Sequence, residues 1–182
     1  MRVSHRQPAA GAKGAARRLP FLLLSGLAFA GAMPAPSLAQ TSVIERPAAG
    51  SPYAQAVAEA AQRFGIPERW IWAVMRVESG GRVRAVSPKG AMGLMQIMPA
   101  TWADLRARHG LGVDPFDPRD NILAGAAYLR EMHDRYGAPG FLAAYNAGPG
   151  RYDDYISAGR ALPAETIAYV AAIAPLIGSE PL

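Results

Sequence analysis

Three places in this 182-residue sequence carry side chains able to act on a polar substrate from apolar surroundings: Glu78, Gln96 and the pair Tyr145-Asn146. Glu78 follows Val74 by four residues and Ile71 by seven, with Trp70 and Trp72 beside them, so on a helix it extends an apolar face. A carboxyl held there is desolvated. Its charged form is disfavoured, its pKa rises, and it can stay protonated near neutral pH and give its proton to a leaving oxygen. A helix-end glutamate turned out to water fits the same spacing, and periodicity does not separate the two. Gln96 is an isolated amide in an apolar run, after Gly90 and Gly93. Glycine lets backbone approach a ligand closely, and an amide in apolar surroundings has to find a partner. A sugar hydroxyl or N-acetyl group would serve, and so would local backbone in a buried turn. Tyr145 and Asn146 place a phenol and an amide at a helix end ahead of Gly148. Aromatic rings beside amides suit sugars, whose ring faces stack while their hydroxyls need partners. Tyr128 and Tyr136, by contrast, keep helical spacing along one long helix and read as core.

Helices have to position these groups. Ser51-Pro52 reads as an N-cap with proline at the first helical position, opening a helix that Gly65 stops after Phe64. A second helix spans Glu68 to Glu78 and ends at Gly80-Gly81. Residues 82–98 form a loop punctuated by Gly, Ser and Pro, followed by a helix from Pro99 to His109 that Gly110 ends. Asp117-Pro118 opens a long helix to Tyr136, with Ile122, Ala126, Leu129, Met132 and Tyr136 on one stripe and a stop at Gly137. Phe141 to Ala147, Tyr152 to Ser157 and Pro163 to Ile173 supply three shorter helices. No stretch alternates as a strand. The expected architecture is a single all-α domain of about 130 residues.

Composition narrows the chemistry. Zero cysteine excludes disulfides, thiolate metal sites, cysteine nucleophiles and a lipid-modified cysteine anchor. His109 and His133 are 24 residues apart and suggest no shared metal site. The formal charge of +5 is unevenly placed: five of the 19 Lys and Arg precede residue 39, and all 14 acids follow it. Residues 1–39 read as a signal peptide, with Arg2, Arg6, Lys13, Arg17 and Arg18, an apolar stretch over residues 19–33, and Ser37 and Ala39 at a small-x-small site cleaved after Ala39. The apolar stretch is shorter than a membrane span requires, so no stable membrane anchor is expected. Without the leader the chain holds 14 bases and 14 acids, which removes the electrostatic case for nucleic acid. Residues 40–50 read as a flexible lead-in, 51–178 as the catalytic domain and 179–182 as a tail.

Taken in order, Glu78-Ser79, then Gly93 to Pro99 (GLMQIMP), then Ala144 to Gly148 (AYNAG), then Glu165-Thr166 with Tyr169-Val170 resemble the four motifs of the soluble lytic transglycosylase (SLT) domain. Asn121-Ile122, Gly125 and Tyr128-Leu129 are similar to that family's central helix, and the resemblance covers about residues 53–175. It implies a lysozyme-like fold and cleavage of the MurNAc–GlcNAc β-1,4 bond of peptidoglycan with formation of 1,6-anhydroMurNAc, without metal or other cofactor. Carried across, the catalytic acid falls on Glu78. Ser87 falls beside it in the cleft, and Met95, Gln96 and Met98 line the glycan-binding loop. Tyr145 and Asn146 fall on the cleft tyrosine and asparagine, and Glu165 and Tyr169 on the fourth motif. Ser87 and Tyr145 are expected to orient Glu78, and Asn146 and Gln96 to hold glycan. A hydrolytic muramidase and a non-catalytic peptidoglycan-binding module remain as alternative readings. Small exported domains of this kind resemble the wall-opening enzymes of conjugation, secretion or pilus systems, which makes such envelope machinery an expected partner and the periplasm the expected location.

Overall fold

A computed structural model of the chain describes residues 50–178. The assignments made to residues 1–39, to the lead-in before Gly50 and to the tail at 179–182 lie outside the described residues. Six helices appear in order: α1 (Ala54–Phe64), α2 (Glu68–Ser79), α3 (Pro99–His109), α4 (Pro118–Ala147), α5 (Pro149–Ala158) and α6 (Ala164–Ile177). Among the described residues there is no strand beyond the isolated bridges Val86–Met92 and Met92–Ile97. The expected terminators Gly65, Gly80 and Gly110 all adopt left-handed backbone at helix C-termini.

Three boundaries differ from the sequence reading: the start of α1, α5 beginning at Pro149 rather than Tyr152, and α6 running on to Ile177 rather than Ile173. Ser51 does not cap α1. Its carbonyl accepts the Ala54 N–H at 3.1 Å, and its hydroxyl accepts the Tyr53 N–H at 3.4 Å, so it shapes a turn ahead of a helix that starts two residues after Pro52. The stop at Gly137 is as expected: Gly137 (φ 62°, ψ −179°) and Ala138 (φ −82°, ψ 136°) leave helical geometry, and a second helical stretch then runs to Ala147, so α4 is two helical parts joined at a kink. The start of α4 is as expected, with the Asp117 carboxylate accepting the Asp120 N–H at 2.9 Å.

α4 is the axis of the domain, packing against all five other helices. Its expected apolar stripe is therefore too narrow. Ile122, Leu123, Ala124, Ala126, Ala127 and Leu129 are all buried, so the helix is apolar nearly all round because neighbours cover it nearly all round. α2 contributes Trp70, Ile71, Val74 and Met75 to the same core, and α6 adds Tyr169, Ile173 and Ile177. Exposed ion pairs tie the periphery together, among them Arg119–Glu59 between α4 and α1 and Arg108–Glu131 between α3 and α4.

The loop between α2 and α3 is held by one side chain of α4. Asn121 is 0% exposed. Its Oδ1 accepts the Met95 N–H at 2.8 Å, while its Nδ2 donates to the carbonyls of Met92 (3.1 Å) and Pro115 (2.8 Å). The approach is close enough that a Cβ on Gly93 would lie 2.4 Å from Asn121 Nδ2, and Gly93 also has φ +78°. Glycine is required there on both grounds. One turn along α4, a Cβ on Gly125 would come within 2.5 Å of Met95 Cβ, so the Met95 side chain is seated on bare helix backbone.

Asn121→Leu keeps the branched outline, with bulkier methyl groups, and strands one N–H and two carbonyls in the interior. It is expected to cost about 3 kcal/mol in urea unfolding and to speed hydrogen exchange of the Met95 amide ahead of the helix amides.

Candidate active site

Glu78 lies in the last turn of α2, one residue before Ser79, whose hydroxyl donates to Met75 O at 3.1 Å and accepts the Gly81 N–H at 3.1 Å. That pair of bonds fixes the turn that ends the helix, and with it the direction of the glutamate. Glu78 opens onto a cleft of about 450 Å³, the size of a small-ligand site. The helix is amphipathic as read, with Ile71 and Val74 fully buried. Of the two readings of Glu78, burial is the one realised: desolvation pushes its carboxyl from 4.5 up to about 7, opposed by the Tyr169 hydroxyl and reinforced by the negative charge of Glu165. Tyr169 Oη is buried without a hydrogen-bond partner of regular geometry, although it is the hydroxyl that acts on Glu78. The phenols of Tyr145 and Tyr169 are both held well above their usual pKa, by burial first and then by the charge of Glu78.

The other expected residues are brought to the cleft with two exceptions, Met95 and Tyr169. Ser87, Gln96, Met98, Tyr145, Asn146 and Glu165 line it together with Glu78. Met95 does not: it is 0% exposed, its side chain is packed on Gly125, and only its backbone serves the site. In the loop Met-Gln-Ile-Met the two methionines have opposite fates, because Met98 is 42% exposed at the head of α3. Tyr169 is buried beside Glu78, outside the cleft lining.

The expected hydrogen-bond roles change more than the positions. Tyr145 Oη donates to Met95 O at 2.9 Å, and Ser87 Oγ accepts the Ala91 N–H at 3.0 Å. Both fasten the glycine-rich loop, and neither bonds Glu78 as expected. Gln96 Nε2 donates to Gly93 O (2.9 Å) and Ala85 O (3.2 Å), which is the local-backbone alternative, while its carbonyl accepts no bond among the described residues. Gln96 has φ +51° and is the one non-glycine residue among those described with positive φ. That conformation costs about 1 kcal/mol and is held by the surrounding bonds. Asn146 Oδ1 accepts the Thr166 hydroxyl at 2.8 Å, joining the end of α4 to the start of α6.

Four cleft residues escaped the sequence reading of the site. Tyr128, read as core, lines the cleft with its ring 5.2 Å from that of Tyr145. Its helical spacing was correct, but the stripe it belongs to runs out from the core into the cleft. Thr166 was visible only as part of a motif. Lys89 and Thr101 had no periodic signal, because each is an ordinary surface residue type carried to the cleft by a loop or a helix start. Lys89 Nζ meets Glu165 Oε2 at 2.9 Å. Chemically the arrangement is a partly desolvated proton donor facing a groove walled by two aromatic rings, a methionine and two side-chain amides.

Known proteins match this chain over the same region. The family model described as "Transglycosylase SLT domain" matches residues 55–167. The transglycosylase of Enterobacteria phage PRD1 is 42% identical over 96 residues, 52% of this chain and 34% of the relative. The membrane-bound lytic murein transglycosylase C of Haemophilus influenzae is 36% identical over 113 residues, 54% of this chain and 32% of the relative. The chain thus spans about a third of the length of these relatives. An X-ray structure of the lytic transglycosylase Slt of Pseudomonas aeruginosa, an inactive glutamate-to-glutamine mutant, superposes with a TM-score of 0.59 at 32% identity, covering 67% of this chain and 23% of that one. The helical order, the buried acid at the end of α2 and the matched residues agree: this chain belongs to the transglycosylase SLT domain family.

Proposed function

We propose that this protein is a peptidoglycan lytic transglycosylase that cleaves the MurNAc–GlcNAc β-1,4 bond and leaves a 1,6-anhydroMurNAc end. The observation that carries the reading is the buried Glu78 at the cleft, protonated up to about pH 7. Glycosidases that hydrolyse commonly use two carboxylates. The cleft's other carboxylate, Glu165, is largely exposed and ion-paired to Lys89, which suits a rim group better than a base or nucleophile. A single acid suffices if the substrate brings its own nucleophile. Glu78 gives its proton to the glycosidic oxygen, the C1–O bond breaks, and positive charge develops on the MurNAc ring. The Glu78 carboxylate then takes the proton of the MurNAc C6 hydroxyl as that oxygen bonds to C1, closing the ring and restoring the acid. Attack within one sugar needs no captured water, and holding the ring in place supplies much of the rate. Tyr169 tempers the carboxyl and acts as a positioning residue. Gln96, Met98, Tyr128 and Asn146 form the groove in which the glycan lies.

The names of the relatives, which include lytic murein transglycosylases, support the same substrate. The leader-like residues 1–39 support export to the periplasm, with the catalytic domain over residues 51–178. Among the described residues no helix is long and apolar enough to cross a membrane. Association with a conjugation, secretion or pilus machine is the setting that such small exported domains resemble.

Digestion of purified peptidoglycan, analysed by mass spectrometry, is expected to yield muropeptides one water lighter than hydrolysis products, and Glu78→Gln is expected to yield none. Reducing MurNAc ends would make the enzyme a hydrolytic muramidase, and undiminished release by Glu78→Gln would remove Glu78 from the mechanism. kcat/KM should fall as pH rises through about 7, where Glu78 loses its proton. Glu165→Gln removes a negative neighbour and should move that limb to lower pH, while Tyr169→Phe removes a donor to the carboxylate and should move it to higher pH.

Stability should fall over the same rise in pH as activity, whereas the substitution that abolishes activity should raise it. A carboxyl whose folded pKa exceeds its unfolded value disfavours folding once it ionises, with no cost below about pH 4.5 and the full cost above about pH 7. Glu78→Gln is therefore expected to stabilise the protein by about 3 kcal/mol at pH 8 and hardly at all at pH 4, as read from thermal unfolding.

A further inference from the structure

Among the described residues that line the cleft, Lys89 is the one cation. It stands on the loop between α2 and α3, and its Nζ reaches Glu165 Oε2, in the first turn of α6, at 2.9 Å. Their side chains are 75% and 67% exposed. An ion pair so open to water contributes little to stability, because solvent takes over both charges when it parts. Its importance lies in what the cleft shows to an incoming molecule. Closed, the pair strings the loop to α6 at the rim and cancels both charges. Parted, it leaves an ammonium on one side and a carboxylate on the other.

An anionic group entering this cleft without Lys89 would meet the carboxyl groups of Glu78 and Glu165 and, among the described lining residues, no cation to offset them. With Lys89, the entering carboxylate can replace Glu165 on the same ammonium, one exposed ion pair exchanged for another at little cost. A neutral sugar that needs the rim parted gains no such exchange. We propose that Lys89 is a specificity-determining residue that binds a carboxylate of the glycan substrate, and that its pairing with Glu165 is a rim contact that charged glycan displaces and neutral glycan does not. The inference rests on the proposed action on peptidoglycan and adds to it which chemical feature of the strand is read. Peptidoglycan offers that carboxylate in two places, on the lactyl group of MurNAc where the peptide has been removed and on the stem peptide where it remains.

The test uses the full chain carrying Glu78→Gln to stop turnover, with and without Lys89→Gln, and calorimetric binding of three probes. These are chitopentaose, which has no carboxylate; a MurNAc–GlcNAc tetrasaccharide free of peptide; and the same tetrasaccharide with tetrapeptide stems. Lys89→Gln is expected to weaken a carboxylate-bearing probe about tenfold and to leave chitopentaose unchanged or bound more tightly. Lys89→Arg is expected to keep the preference. A loss confined to the peptide-free sugar assigns the lactyl carboxylate, and a loss confined to the peptide-bearing sugar assigns the stem. Equal loss on all three probes, no loss on any, or a Lys89→Arg variant as weak as Lys89→Gln would overturn the proposal. The activity reading fails separately, if wild-type protein releases no anhydro ends from peptidoglycan while the charge preference in binding persists. Absence of binding to every probe overturns both.

Discussion

The buried carboxamide of Asn121 makes two hydrogen bonds to the glycine-rich loop and a third to Pro115, and the placing of the cleft-lining loop depends on them. The loop, with Gly90 and Gly93 in left-handed backbone and a strained Gln96, sends Leu94, Met95 and Ile97 into the core, and its backbone between those side chains still has to be fixed. Asn121 accepts one of its N–H groups and donates to one of its carbonyls from inside the core, where an unmade bond is costly. Tyr145 adds a second tie, from its hydroxyl to Met95 O. Both residues belong to α4, so the helix that fills the core also carries the loop that lines the cleft. Met95 then makes sense as an anchor: its side chain enters the core so that Gln96 beside it cannot.

The same core that organises the loop makes Glu78 useful. Burial at the end of α2 raises its pKa, and the buried phenols of Tyr145 and Tyr169 are in turn raised by its charge. The fold holds a carboxyl where its charge is unwelcome, which is unfavourable for stability and necessary for proton transfer at neutral pH. Glu165 and Tyr169 adjust this poise from opposite directions. The result is an acid set by three elements (α2, α6 and the end of α4) that meet only in the folded domain.

Much of this was legible in the sequence because it rests on local rules. Helix starts at proline, stops at glycine and apolar spacing placed nearly every element, and the positions of Glu78, Ser87, Gln96, Met98, Tyr145, Asn146 and Glu165 around one cleft followed from the ordered motifs. What was not legible depends on tertiary contact. Met95 and Met98 sit in one short run, and only the approach of Gly125 decides that the first is buried. Ser87 and Tyr145 were given to Glu78 because they are neighbours of it in the family pattern, yet their bonds go to the loop backbone. Tyr128 obeys the period of its helix, but no period reports where a core stripe emerges into a groove. The N-cap at Ser51 failed for a local reason, since a turn and a helix start share the same chemistry.

The kink at Gly137–Ala138 divides α4 into two parts with separate duties. The first part carries Asn121, Gly125 and Tyr128, and the second ends in Tyr145 and Asn146, which reach the loop and α6 respectively. Floor and far wall of the cleft are therefore one continuous backbone with a single joint. Any change in the width of the groove has to be absorbed at that joint or taken up by α6 and the loop facing it. The loop and α6 are each seated on the shared core, and at the rim between them the one link among the described residues is the solvated Lys89–Glu165 ion pair.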